Sequence, residues 1–236
     1  AIEEGLITPK VPGKILMEAP AGLVEIAYKQ TGTKVDWVKI TNVKSYLAAE
    51  GLTVHCPDLG DIIFDVAYGG NFYAIIDPQK NFSGIQDFTA SQIVQYSQKV
   101  REQINIKYPN KFIHPEDSSI KNVTHLLWSG TPIHEGSDGR NAVFYGEKAI
   151  DRSPCGTGTS ARLAQLHAKG KLKKGIEFVH ESFIGSTFVG CIEEETTVGD
   201  FPAIIPSIKG WAKIYGYNTI IIDDKDDPYA HGFSVI

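Results

Sequence analysis

One cysteine and its neighbours hold most of the chemical potential of this 236-residue chain. In the run Asp151-Arg152-Ser153-Pro154-Cys155-Gly156-Thr157-Gly158-Thr159-Ser160, Cys155 stands at the mouth of a glycine-rich turn, directly before a helix expected over 157–169. A thiol there faces free backbone N–H groups and the positive end of a helix dipole, and both favour the thiolate. From an ordinary value of about 8.5, a cysteine pKa falls to ~3.5–7.5 in such settings. Cys155 is therefore a candidate base or nucleophile. The N–H groups of Gly156, Thr157, Gly158 and Thr159 are a candidate seat for a carboxylate or phosphate. A phosphate loop of the GxxxxGK[ST] type would need a lysine that this segment lacks. The competing reading of Cys155 is a buried structural cysteine, the common fate of the residue.

Asp151, four residues before the thiol, suits a cation in a dry cleft or, equally, a turn ahead of Ser-Pro. His125 sits in Val123-Thr124-His125-Leu126-Leu127, where a lone imidazole between apolar residues reads either as a ligand or as a satisfied core residue. Tyr145 reads as core packing or as an aromatic wall beside Asp151. Gly69-Gly70 permits a close backbone approach or a bulge. His114, His134, His167, His180 and His231 show no metal-ligand spacing.

These residues need elements to hold them. Alternating apolar positions predict strands over 14–28 and 35–43, joined by a turn at Thr31-Gly32-Thr33; apolar runs predict strands over 61–67 and 72–76, flanking Gly69-Gly70, and 122–128 and 141–146 again read as strands. Further strands are expected over 176–180, 186–193, 208–215 and 218–223. Ile93, Val94, Val100 and Ile104 give helical spacing over 88–106, with Thr89 or Ser91 as cap. The helix after Cys155 should stop at Gly170. Strand pairs mixed with two helices indicate an α+β, or mixed α/β, class.

Hydrophobic residues make up 42% and charged residues 22%, the balance of an ordinary globular chain. The net charge of −5, without a basic stripe, argues against a nucleic-acid partner. Lys169, Lys171, Lys173 and Lys174 complement a helix C-terminus. No apolar run approaches the ~18 residues a membrane span needs. Cys56, Cys155 and Cys191, odd in number and far apart, fit reduced thiols of the cytoplasm rather than a disulfide framework or zinc site. No internal repeat or low-complexity tract is present.

The run from Asp151 to Arg162, DRSPCGTGTSAR, resembles the signature of the proline racemase family. So do Glu18-Ala19-Pro20-Ala21-Gly22-Leu23-Val24, Tyr68-Gly69-Gly70-Asn71-Phe72-Tyr73-Ala74-Ile75, Glu181-Ser182-Phe183-Ile184-Gly185 and Asp227-Pro228-Tyr229-Ala230-His231-Gly232-Phe233. The resemblance implies a diaminopimelate-epimerase-like fold. Two lobes are related by a pseudo-two-fold axis, each wraps a sheet round a helix, and the site lies between them. On that template residues 1–47 are a remnant of the first lobe, 48–217 form the second, and 218–236 return as a strand to the first. The implied activity is cofactor-independent inversion at Cα of proline or hydroxyproline by two acid/base thiols, and homodimers are common in the family. Cys155 would be one thiol. Asp151 would pair with the substrate's secondary ammonium, Gly156 and Thr157 would hold its carboxylate, His125 would reach a ring hydroxyl, and Tyr145 would pack on the ring. The second thiol of the family lies in a Met-Cys-Gly-His motif that is absent here. The chain is accordingly read as a C-terminal portion of such an enzyme, inactive alone. Two alternatives stand beside it: a 3-hydroxyproline dehydratase, which carries Thr where this chain has Cys155, so that Cys155 argues against it, and a non-catalytic amino-acid binding module.

Overall fold

The computed structural model describes residues 1–19 and 22–232. Pro20 and Ala21 of the segment at 18–24, Phe233 of the tail segment, and the last residues of the expected C-terminal strand lie outside the described residues. In chain order the elements are β1 (Lys14–Ala19), β2 (Gly22–Thr31), β3 (Lys34–Thr41), β4 (Ser45–Cys56), β5 (Gly60–Tyr68), β6 (Phe72–Ile76), α1 (Ala90–Lys107), β7 (Ile113–His114), β8 (Asp117–Lys121), β9 (His125–Gly130), β10 (Gly139–Tyr145), β11 (Ala149–Ile150), α2 (Gly156–Ala168), β12 (Glu177–Glu181), β13 (Thr187–Val198) and β14 (Phe201–Gly210).

The strands β4, β5, β6, β9, β10, β12, β13 and β14 pair in that order, and β14 closes the ring on β4 through Ala203↔Tyr46 and Ile204↔Ser45. Helix α2 runs inside this ring, and α1 packs on its outer face against β4, β9 and β10. The two-residue period of a strand explains how one sheet serves both helices. Phe72, Ala74 and Ile76 of β6 join the core under α1, whereas Tyr73 and Ile75 point to the α2 side. Leu126 and Trp128 against Leu127 on β9, and Ala142 and Phe144 against Val143 on β10, repeat the division. The fold is thus mixed α/β.

Beyond the ring, β14 forks. Its second half, Ser207–Gly210, pairs with β3, and β2 and β1 continue outward as an antiparallel arm. The single strand expected over 14–28 is the hairpin β1–β2, while the turn at 31–33 falls where the spacing puts it. Strand β4 was not legible because Gly51, at φ +65°, and two register shifts break its alternation. The expected strand over 208–215 lies instead at Phe201–Gly210. Pro202 and Pro206 disguise it, since proline lacks the N–H a ladder uses. Residues 218–223 form no strand. Ile220, Ile221 and Ile222 are exposed, and the segment is paired with no strand among the described residues. Thr89 caps α1 in a capping box with Gln92, and Gly170 at φ +69° follows α2.

Candidate active site

Helix α2 begins against its own cysteine. Cys155 is the N-cap, and its Sγ accepts the N–H of Gly158 at 3.4 Å. Its backbone has φ +66°, a region that residues with a side chain rarely adopt. The strain is held by a buried clamp on the preceding carbonyl. Asn141 Nδ2 donates to Pro154 O at 2.8 Å, and Thr159 Oγ1 donates to the same oxygen at 3.3 Å. His180 lies behind them, with Nδ1 3.0 Å from Thr159 Oγ1. Burial, with Arg162 adding to it, pushes the His180 pKa down to about 3, so the ring is neutral at neutral pH. Gly69 and Gly70 allow the β5–β6 turn to press on the first turn of α2. A Cβ at Gly69 would lie 2.5 Å from Ala161 N, and one at Gly70 would lie 2.7 Å from Thr157 Cγ2.

The thiol itself is only 9% exposed and packs among Ala67, Tyr73, Ile75, Leu127, Val143 and Ala161. Three donors favour its ionised form: Tyr73, Gly158 and Thr157. Burial outweighs them, and the Asp151 charge works in the same direction, so the Cys155 pKa is raised. This corrects the expectation from the helix terminus alone. N–H groups soften the desolvation of a sulfur anion here but do not overcome it. The resting group is a protonated thiol.

The remaining expected residues divide into two groups. Gly156 and Thr157 line a cavity of about 480 Å3, together with Ser153, Asn42, Ile40 and Phe188. Cys155, Asp151, His125 and Tyr145 are not part of that wall. Asp151 Oδ1 accepts from Ser153 N and Ser153 Oγ, both at 2.9 Å, so it does make the turn that Ser-Pro suggested. Its charge nonetheless reaches Cys155, Tyr73 and His125. His125 lies beside Tyr73 in the parallel β6–β9 register, with ring centres 4.9 Å apart, and stacks on Tyr145 at 6.5 Å. Burial, helped by the Arg101 charge, pushes His125 down to about 4. Its Nδ1 lies 2.8 Å from Thr124 Oγ1.

Sequence reasoning missed Tyr73, Asn141, Thr159 as a clamp, and His180. Tyr73 OH lies 3.3 Å from Cys155 Sγ and 2.6 Å from Thr157 Oγ1. Its one sequence signal is its place on the inward face of an apolar strand, and nothing local connects it to a cysteine 82 residues away. Among the described residues no group of three or more His, Cys, Asp or Glu is placed to hold a metal. No helix among them is long and apolar enough to cross a membrane.

Known proteins resemble this chain from end to end, and the chain spans about 70% of the length of the relatives it matches. A 4-hydroxyproline epimerase of Brucella ovis is 60% identical over 235 residues, a match covering 100% of this chain and 70% of that protein. A 4-hydroxyproline 2-epimerase of Spirosoma linguale is 60% identical over 236 residues, with the same coverage. The crystal structure of a hydroxyproline epimerase from Agrobacterium vitis, with trans-4-OH-L-proline bound, matches with a TM-score of 0.85 at 30% identity, over 99% of this chain and 66% of that one. The family model described as proline racemase spans residues 1–234, from before the outer arm to past the last strand. Sequence and fold agree across the described chain, and the chain belongs to the proline racemase family.

Proposed function

We propose that the protein acts in cofactor-independent epimerisation, inverting Cα of hydroxyproline, with Cys155 as one of two acid/base thiols. The observation that carries this reading is a protonated, buried thiol capping α2 beside a cavity that exposes the helix's first residues, Gly156 and Thr157. A carboxylate seated there meets unpaired N–H groups, whose hydrogen bonds strengthen as charge moves into it from Cα. Cys155 S–H gives its proton to one face of Cα while a base removes the original proton from the other. One C–H bond breaks and one forms, and Cys155 is left as a thiolate held by Gly158 N–H. In the reverse direction the roles exchange. Asp151 offers the charge for the substrate's secondary ammonium. His125, neutral at neutral pH, offers a polar partner for the ring hydroxyl, which favours hydroxyproline over proline.

Among the described residues neither Cys56 nor Cys191 contacts Cys155. Cys56 belongs to the core under α1, and Cys191 lies on β13. The opposite base then comes from a segment outside these 236 residues. The same reading assigns residues 1–47 to an incomplete first lobe, 48–217 to the second, and 218–236 to a return toward the first, in a diaminopimelate-epimerase-like pair.

The test is deuterium wash-in at Cα of trans-4-hydroxy-L-proline, followed by NMR and chiral chromatography on a polypeptide extended to its relatives' full length. Cys155→Ser should lower inversion by about 10²–10⁴-fold, the usual worth of a placed acid or base. The 236-residue chain alone should give no inversion. Unchanged inversion in Cys155→Ser would refute the assignment, and appreciable inversion by the short chain would refute the need for an outside base.

A further inference from the structure

We propose that Tyr73 is a positioning residue that follows the charge of Cys155 by rotating its hydroxyl between the sulfur and Thr157. The inference deepens the acid/base reading of the thiol. A phenol with no solvent exposure needs partners, and this one has two, Cys155 Sγ and Thr157 Oγ1, at 3.3 and 2.6 Å. Thr157 Oγ1 is itself 3.7 Å from the sulfur, so the three atoms form a triangle whose shortest side joins the two hydroxyls. Each hydroxyl has one hydrogen to give and can accept in return.

Two arrangements satisfy the triangle. With the thiol protonated, S–H donates to the Tyr73 oxygen and Tyr73 donates to Thr157, whose own hydrogen stays available to the cavity that Thr157 lines. With the thiolate, Thr157 donates to the Tyr73 oxygen and Tyr73 donates to the sulfur. Only hydrogens rotate, and no O–H bond breaks. A donor therefore reaches the sulfur when it is charged and withdraws when it is neutral, as a group that must act as acid in one direction and base in the other requires. The groups facing the sulfur leave the phenol this task. Gly158 N–H is fixed by the helix. Asp151, on the loop before α2, opposes ionisation. Thr157 Oγ1 lies farther off than the phenol, at 3.7 Å, and β5, β9, β10 and α2 contribute Ala67, Leu127, Val143 and Ala161.

Alkylation of Cys155 by iodoacetamide between pH 7 and 10.5, read by mass spectrometry of the Cys155 peptide, tests this on the 236-residue chain without any substrate. Its outcome is therefore independent of the wash-in assay. Tyr73→Phe removes the hydroxyl and should move the alkylation midpoint up by about one pH unit, about tenfold less thiolate at a given pH. Thr157→Val removes the phenol's alternative partner and with it a hydroxyl that itself favours the thiolate, so its midpoint should move up by clearly less than that of Tyr73→Phe, or down. An unmoved midpoint in Tyr73→Phe would mean that the phenol only packs. An upward shift in Thr157→Val as large as that in Tyr73→Phe would mean two independent donors. Either result overturns the proposal. Should circular dichroism show Tyr73→Phe unfolded, the size of the Thr157→Val shift decides alone: about one pH unit upward overturns the proposal, and a smaller or downward one supports it.

Discussion

The clamp beneath Cys155 stores its weak point in a histidine. His180 is buried, accepts no proton until about pH 3, and sits against Thr159 and Asn141, the two side chains that hold Pro154 O. In the unfolded chain the same imidazole protonates near 6.5. Between these values the unfolded state binds more protons than the folded one, so stability is complete above about pH 6.5 and is lost as pH falls. The limiting slope for one such proton is about 1.4 kcal/mol per pH unit. His125, also pushed down, works in the same direction. Urea titrations between pH 4.5 and 6.5 should show falling stability, and His180→Gln should remove about one proton's worth of that slope. A slope unchanged in the variant would remove His180 from the account. Cys155 and its glycine-rich helix entry were legible as residues, because their chemistry is local. The raised thiol pKa was not, because desolvation is a sum over side chains from four strands that no spacing rule brings together.

Contact between two elements decides whether the helix can start where it does. The β5–β6 turn meets the first turn of α2 backbone to backbone, and Gly69 is the point of closest approach. Gly69→Ala would drive a methyl into the Thr157 carbonyl and Ala161 N, neither of which can rotate away. Overpacking against rigid atoms costs about 1–3 kcal/mol, or about 3–10 °C in melting temperature for a chain of this size, and calorimetry would read it. Gly51, with φ +65° and nothing near its would-be Cβ, provides the comparison: it has strain without a clash. The helices and the apolar strands β5, β6 and β9 were readable because helical spacing and short apolar runs survive in the residues themselves. β4 and β14 were not, because a glycine and two prolines interrupt their patterns and only the ring's closure restores them. The role of Gly69-Gly70 was readable as a need for closeness, though not its partner.

Across the molecule, apolar surface is distributed unevenly. Leu16, Met17 and Leu23 on the outer arm and Tyr215, Ile220, Ile221 and Ile222 beyond β14 are all exposed, with Ile221 at 86%. A surface of this kind promotes association. Sedimentation velocity over a hundredfold concentration range should show the 236-residue chain self-associating, and Leu23→Lys combined with Ile221→Lys should suppress it. A monomer at every concentration would mean that these side chains find cover within the chain. The class of the fold was legible from composition and alternation. The closed ring was not, since closure depends on β14 finding β4 across some 150 residues. The fork of β14 has one more result. Ile40 belongs to the arm, Phe188 and Ile208 to the ring and Thr157 to its axle, yet all four face a single chamber. That chamber is a doorway whose two jambs stand on separate walls, with β14 as the lintel and Asn42 as a latch, its Nδ2 donating to Gly69 O and Ser160 Oγ.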